Sequence, residues 1–432
     1  DNASASTILG YNSYTKANQS VNIGSTVKTE AGGQYSTAIG YTLSVSGKNA
    51  IGIGSSDDGI ADDKKLMATG ESSIAIGTRA QGKASGATAI GKEAVASHTD
   101  AIALGTSAQG TGEASTAIGN GAKATNSHAF AAGVGASAAG NSAIAVGNSA
   151  SAAKDNSVAI GTDTTASEIE TVAVGLRASA QGKRSVSLGI DTESTTADGV
   201  SVGYLSKSKA LGAVAIGRNA VVTAEKSTAV GYDLTVSNSA STNIGYTSTV
   251  AANQATSVGA RTSVEAGAQY GTALGYFVNI SGKNAIGIGS SDDKQNVVAS
   301  AYNSAAIGTS AQATASSAMA LGTNANAALA HSVALGEGST TTTDDGASKI
   351  AYLTNESTNN SGNGVISVGN KRNTSDTGTI TRRIVSVAGG TYDFDAVNVK
   401  QLKALESKER HIKVKTGNDA YTPDANGKIT LN

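Results

Sequence analysis

The chain has no cysteine, no tryptophan, three phenylalanines and one proline, Pro423, in 432 residues. Each shortage removes something. Without cysteine there are no disulfides and no thiolate metal sites, a usage that suits an exported bacterial protein. With aromatics at 4%, a core must be built from Ala, Val and Ile rather than from rings. Proline is missing while glycine reaches 53, which is unlike a disordered linker, where the two are enriched together. The glycines do not fall at every third position, so the chain is not collagen-like. No apolar run approaches the length of a membrane-spanning helix. Neither charge is in excess, with 32 basic and 33 acidic residues spread along the chain, so no basic stripe exists to attract nucleic acid. The opening residues "DNASAS" lack the basic and apolar regions of a signal peptide, so an exported protein of this sequence is expected to be a mature fragment.

What is present is one phrase, repeated. "STAIG" ends at Gly40, "SSIAIG" at Gly77, "DAIALG" at Gly105, "NSVAIG" at Gly161 and "SVALG" at Gly336. From Gly77 to Gly259 every interval between closing glycines is 14 residues. Elsewhere the exceptions are 16, 16, 19, 23 and 33. A fixed period of this kind is the mark of a solenoid in which each unit is one coil. Residues 6–58 and 241–293 also align without a gap, both ending "SGKNAIGIGSSDD", as if the array grew by block copying.

Fourteen residues are too few for a helix pair, and fit two strands of about five residues plus two turns. In "KEAVASHTDAIALG", Ala94 and Ala96 share one face of a half-buried strand. In the second strand Ile102 and Leu104 lie on one side and Ala101 and Ala103 on the other, apolar on both. The same holds for Val158 and Ile160 before Gly161, while Gly105 and Gly161 fit turns needing positive φ. A two-walled roll has one interior, so the second wall leaves an apolar stripe that a symmetric copy is expected to cover. A single wide monomeric β-helix is the competing reading. At roughly 4.8 Å per coil, two dozen coils make a rod on the order of 110 Å long.

The period ends at Gly369 in "GVISVG". Beyond it, "DAVNVKQLKALESKER" predicts a helix with Asp395 as N-cap. Leu402, Leu405 and Ile412 are spaced for a short coiled-coil seam, with Glu409 a polar member. "HIKVK" and "GKITL" alternate like strands. The coils, the closing "GVISVGN" and "RRIVSVAGGTYDFDAVNVKQL" together resemble the head and neck of trimeric autotransporter adhesins with a YadA-like head, over nearly all of residues 1–405. The resemblance implies a left-handed parallel β-roll, a homotrimer, at 1–369. It implies a neck and short coiled-coil helix at 370–411, with a further β or stalk element beginning at 412–432. Arg382, Arg383, Asp395, Val397, Asn398, Val399, Gln401 and Leu402 carry the neck pattern. It further implies a Gram-negative cell-surface location and an outer-membrane anchor in a C-terminal region outside this sequence. The implied partners are host receptors, matrix proteins such as collagen or fibronectin, or other bacteria.

A search for chemistry returns little. His98, His128, His331 and His411 form no ligand cluster by spacing. Asp57, Asp58, Asp62 and Asp63 share one inserted loop, but their spacing matches no calcium motif, and Lys64 and Lys65 follow at once. That loop is read as solvated and as a candidate ligand-contact segment, the specificity-bearing rim of an insertion at 55–73. No nucleophile elbow is present, and Gly82-Lys83 and Gly91-Lys92 lack the rest of a phosphate loop. No cofactor, metal or catalytic residue is assigned. The expected function is multivalent attachment through an adhesin head, with a passive spacer or a solenoid acting on polysaccharide as alternatives. Thr does not hold one position along the coils, which argues against an ice-binding ladder.

Overall fold

The computed structural model describes residues 4–56, 65–291, 295–346, 350, 356–357, 362–370, 379–409, 414–416 and 419–421. The chain divides into two compact units, 1–367 and 368–432.

The first unit is a parallel β-solenoid. Its strands form two ladders, a wide sheet of 24 strands and a narrow sheet of 23. In the wide sheet Thr88, Ala89 and Ile90 pair with Ile102, Ala103 and Leu104, one coil later. In the narrow sheet Gln109 and Gly110 pair with Lys123 and Ala124. Strands are shorter than the five residues expected. Most wide-sheet strands have three, as in Ile102–Leu104, and most narrow-sheet strands two, as in Gln109–Gly110. The turns take the difference. Each coil reverses twice through a left-handed residue, for instance Ser107 at φ 54° and Ala114 at φ 50°. Five-residue strands occur only where the wide strand runs on past its glycine, as in Thr228–Tyr232.

Gly105 has φ +132°, and a Cβ there would lie 2.5 Å from the carbonyl oxygen of Gly119 in the next coil. Gly161 repeats this at φ +135°. The glycine therefore serves two needs, a backbone region closed to side chains and a coil-to-coil approach with no room for one. Inside, Ala94, Ala96, Ala101, Ala103 and Ala108 are fully buried, so methyl groups fill most of the interior. Larger side chains enter at Leu43, Val45, Leu66, Val278, Ile280 and Val297. Opposite them the wide strand carries Gly52 and Gly287 where other coils carry Ala.

Insertions leave the ladders unbroken. Across the first, Ile51 pairs with Ile74 and Leu43 with Leu66. Across the second, Val278 pairs with Val297. Across the third, Val333 pairs with Ile366.

The second unit holds the helix Val399–Glu409 and a hairpin of Val414–Thr416 with Asp419–Tyr421. The helix starts later than the sequence suggested, and its cap is Asn398 rather than Asp395. Asn398 Oδ1 accepts the Gln401 amide at 3.0 Å, while Gln401 Oε1 accepts the Asn398 amide at 3.2 Å, a reciprocal capping box. Asp395 is already engaged, since its Oδ2 accepts the amides of Thr391 at 2.8 Å and Tyr392 at 3.0 Å. Its carboxyl is held below the ordinary value by those two backbone N–H groups, Thr391 first. His411, Ile412 and the "GKITL" segment lie outside the described residues.

Candidate functional surface

Three surfaces of the solenoid differ in chemistry. The outer face of the wide sheet is apolar. Ile102, Leu104 and Val158 are half-buried there, and Ile90, Ile118, Ile144 and Ile160 are between 37% and 40% exposed. Alternation along each strand fixes this: Ala103 and Ala159 point in, and their neighbours point out. Isoleucine and valine stack coil on coil, as Val158 on Val172 and Ile160 on Val174.

The corners carry polar ladders with the period of the coil. Arg177 Nε and Nη2 donate to Asp191 at 2.6 and 2.8 Å, and Arg184 donates likewise to Asp198 at 2.8 and 3.0 Å. These hydrogen bonds depress both carboxyls and raise both guanidinium groups. Arg79 pairs with Glu93, also one coil on. Just after the glycine, Arg218 lies 5.7 Å from the ring centre of Tyr204 and 5.4 Å from that of Tyr232, and Tyr232 stacks on Tyr246 at 5.1 Å.

The outer face of the narrow sheet is polar, with Gln109, Lys123, Ser137, Ser151, Thr165, Ser179, Glu193 and Lys207 in register. Near its start Glu30 accepts from Tyr14 Oη at 2.9 Å and from Lys16 Nζ at 3.0 Å. The Lys16 bond chiefly lowers the Glu30 carboxyl, and burial chiefly raises the Tyr14 phenol. Beside them a surface hollow of about 190 Å³ is lined by Lys28, Glu30, Leu43, Lys65 and Met67. A second, of about 340 Å³, lies between Arg177, Asp191, Glu193 and Lys207.

Of the sequence-derived candidates, Asp57, Asp58, Asp62, Asp63 and Lys64 lie outside the described residues. Lys65 is half-buried at the return of the chain, its carbonyl accepting from Gln81 Nε2 at 3.2 Å. In the neck, Arg382 donates to the Val368 carbonyl at 2.7 Å, and Arg383 is exposed. Gln401 also clasps Gly390, accepting from its amide at 3.0 Å and donating to its carbonyl at 2.9 Å, and Asn398 donates to the Val387 carbonyl at 3.1 Å. Val397, Val399, Leu402 and Leu405 stand between 53% and 70% exposed. His98, His128 and His331 are exposed and apart. Among the described residues no three His, Cys, Asp or Glu come together as a metal site, and no helix is long and apolar enough to cross a membrane.

Sequence reasoning missed the corner ladders. The signal was available as opposite charges 14 residues apart, and as Tyr or Arg in the position after successive coil glycines.

The model of the YadA head domain repeat (two copies) matches residues 68–81, 83–108, 111–136, 138–164, 152–178, 166–192, 208–233 and 299–325. No curated protein matches. Among solved structures, the collagen-binding domain of the Yersinia adhesin YadA matches at 21% identity, over 58% of this chain and 83% of that domain, with a TM-score of 0.18. Heads of this family are adhesive, non-enzymatic and displayed on the cell surface. By the repeats matched, these coils are similar to the YadA-like head of trimeric autotransporter adhesins.

Proposed function

We propose that three copies of this chain pack their wide sheets around a common axis. The trimer then presents the narrow-sheet faces and the insertion loops to an extracellular matrix ligand, with collagen the first candidate. The observation that carries the reading is the apolar column of Ile102, Leu104, Val158, Ile160 and their equivalents, open to solvent in one chain. Removing about 40 Å² of apolar surface per side chain yields about 1 kcal/mol each at ~25 cal/mol/Å². Summed over the coils, that is ample drive for association. The exposed Val397, Val399, Leu402 and Leu405 of the neck call for the same cover. Three identical outer faces make weak contacts add up on a repetitive fibre.

A head at 1–369, a neck at 370–411 and an outer-membrane anchor beyond this sequence complete the proposal. Asp57, Asp58, Asp62, Asp63, Lys64 and Lys65 are proposed as the ligand-contact loop. The test uses the 432-residue protein, first shown to be trimeric, on immobilised triple-helical collagen, fibronectin and a bare surface. Saturable binding to collagen is expected, weakened when the 55–73 insertion is cut back to a plain coil. A trimer that binds neither matrix protein overturns the matrix reading. Binding unchanged by the shortened loop moves the contact to the narrow sheet.

A further inference from the structure

The interior of the solenoid is not chemically uniform along its length. One contiguous apolar cluster runs from Val27 to Ala180, and a second from Ala210 to Ala334. Between Ala180 and Ala210 no hydrophobic side chain is buried. The positions that hold Ala elsewhere hold Ser185, Ser187, Thr192, Ser194, Ser201, Ser206 and Ser208, each 1% exposed or less. Five of these hydroxyls donate to main-chain carbonyls: Ser187 to Ser179 at 2.7 Å, Thr192 to Gly189 at 3.5 Å, Ser194 to Val186 at 2.8 Å, Ser201 to Glu193 at 2.7 Å and Ser208 to Ala213 at 2.8 Å. The hydroxyls of Ser185 and Ser206 are buried without a partner.

We infer that the coils from 185 to 208 are a joint built into the head, at which its two apolar blocks open independently of one another. In a linear array stability is close to a sum of coil and nearest-neighbour terms, so the poorest interface decides where the array divides. Here the interface loses methyl contacts and gains hydroxyls, two of them unsatisfied, which is unfavourable on both counts. Polarity alone does not make a joint. Residues 241–262 also bury Ser241, Asn243, Ser248, Ser257 and Thr262, but Val250, Ala252 and Ala255 lie among them and the apolar cluster continues.

The outside of the same coils is clamped by charge. Arg177–Asp191, Arg184–Asp198 and the approach of Lys207 and Lys209 to Glu193, at 3.8 and 3.9 Å, span the coils on three separate columns. Such exposed pairs are weak and screened by salt, so they hold the joint without replacing its missing core. Val186, Leu188, Val200 and Val202 keep the wide-sheet face apolar throughout, so the joint does not depend on how copies of the chain associate.

Native-state hydrogen exchange read by mass spectrometry on the whole protein tests this. Amides of Val186–Leu188 and Val200–Val202 are expected to exchange about tenfold or more faster than those of Ile144–Val146 and Thr242–Tyr246. High salt is expected to widen the gap. Ser187→Ala with Ser201→Ala joins the methyl column from Ala173 to Ala215 and is expected to slow exchange to the rate of the flanks. Ser187→Ala alone serves if the pair is not produced. Uniform rates in the unaltered protein overturn the joint. Fast exchange that the alanines leave untouched overturns its assignment to the hydroxyl-lined interior.

Discussion

Gly287→Ala exposes how the core is fitted. The position lies in the strand Ile286–Ser290, points inward and pairs with Ala273 on one side and Ala306 on the other. Alanine is thus normal for the site, and the backbone is not in the left-handed region. The obstacle faces it across the roll. A Cβ would lie 2.5 Å from Ile280 Cδ1 and 2.6 Å from Val278 Cγ1, closer than real methyl groups come. Overpacking of this kind costs about 1–3 kcal/mol. Ile280→Ala alone leaves a cavity and costs about 2–5 kcal/mol. In that background the contact with Ile280 is gone and only Val278 Cγ1 still crowds the added methyl, so the two changes are expected to couple favourably by about 1 kcal/mol or more. Denaturant unfolding of the four proteins, with exchange rates of the 286–290 amides as a local readout, measures the cycle. If Gly287→Ala costs under about 0.5 kcal/mol and the pair is additive, the coil is loosely packed and the reasoning fails.

Two further outcomes follow from other parts of the molecule. Light scattering should give about 127 kDa for three chains of 42.4 kDa, and Ile160→Glu with Ile102→Glu should reduce it, because charges cannot be buried unpaired on the wide-sheet face. A stable monomer in the unaltered protein removes the trimer. Asp395 is hydrogen-bonded as a carboxylate, so its pKa falls on folding; the turn it holds is favoured above the ordinary carboxylate range and loses that support as pH drops through the depressed value. Amide signals of Thr391 and Tyr392 should shift in that acid window, and Asp395→Asn should abolish the transition.

The solenoid was legible because its coil is written in a fixed period. Gly105, the buried Ala101 and Ala103, and the outward Ile102 and Leu104 follow from alternation and from where glycine must fall. What the period hides is anything encoded between coils. The pairing of Arg177 with Asp191 becomes visible only when residues 14 apart are set side by side. The fit of Gly287 against Ile280 crosses from one sheet to the other, and no linear pattern reports it. The helix cap went to Asn398 because Asp395 is spent on its own turn, a competition between two good acceptors that composition cannot resolve.

Where the wide strand ends at Ser55, and again at Ser290, the chain departs and later resumes pairing in both sheets as if nothing had intervened. Added length at that corner therefore leaves the register of the scaffold unchanged, at an entropic cost that grows only slowly with length. Such a corner is a socket: its sequence can be exchanged while the paired coils above and below stay as they are. The same socket will accept a foreign peptide by design, held between paired coils and, in the proposed trimer, shown three times at one height.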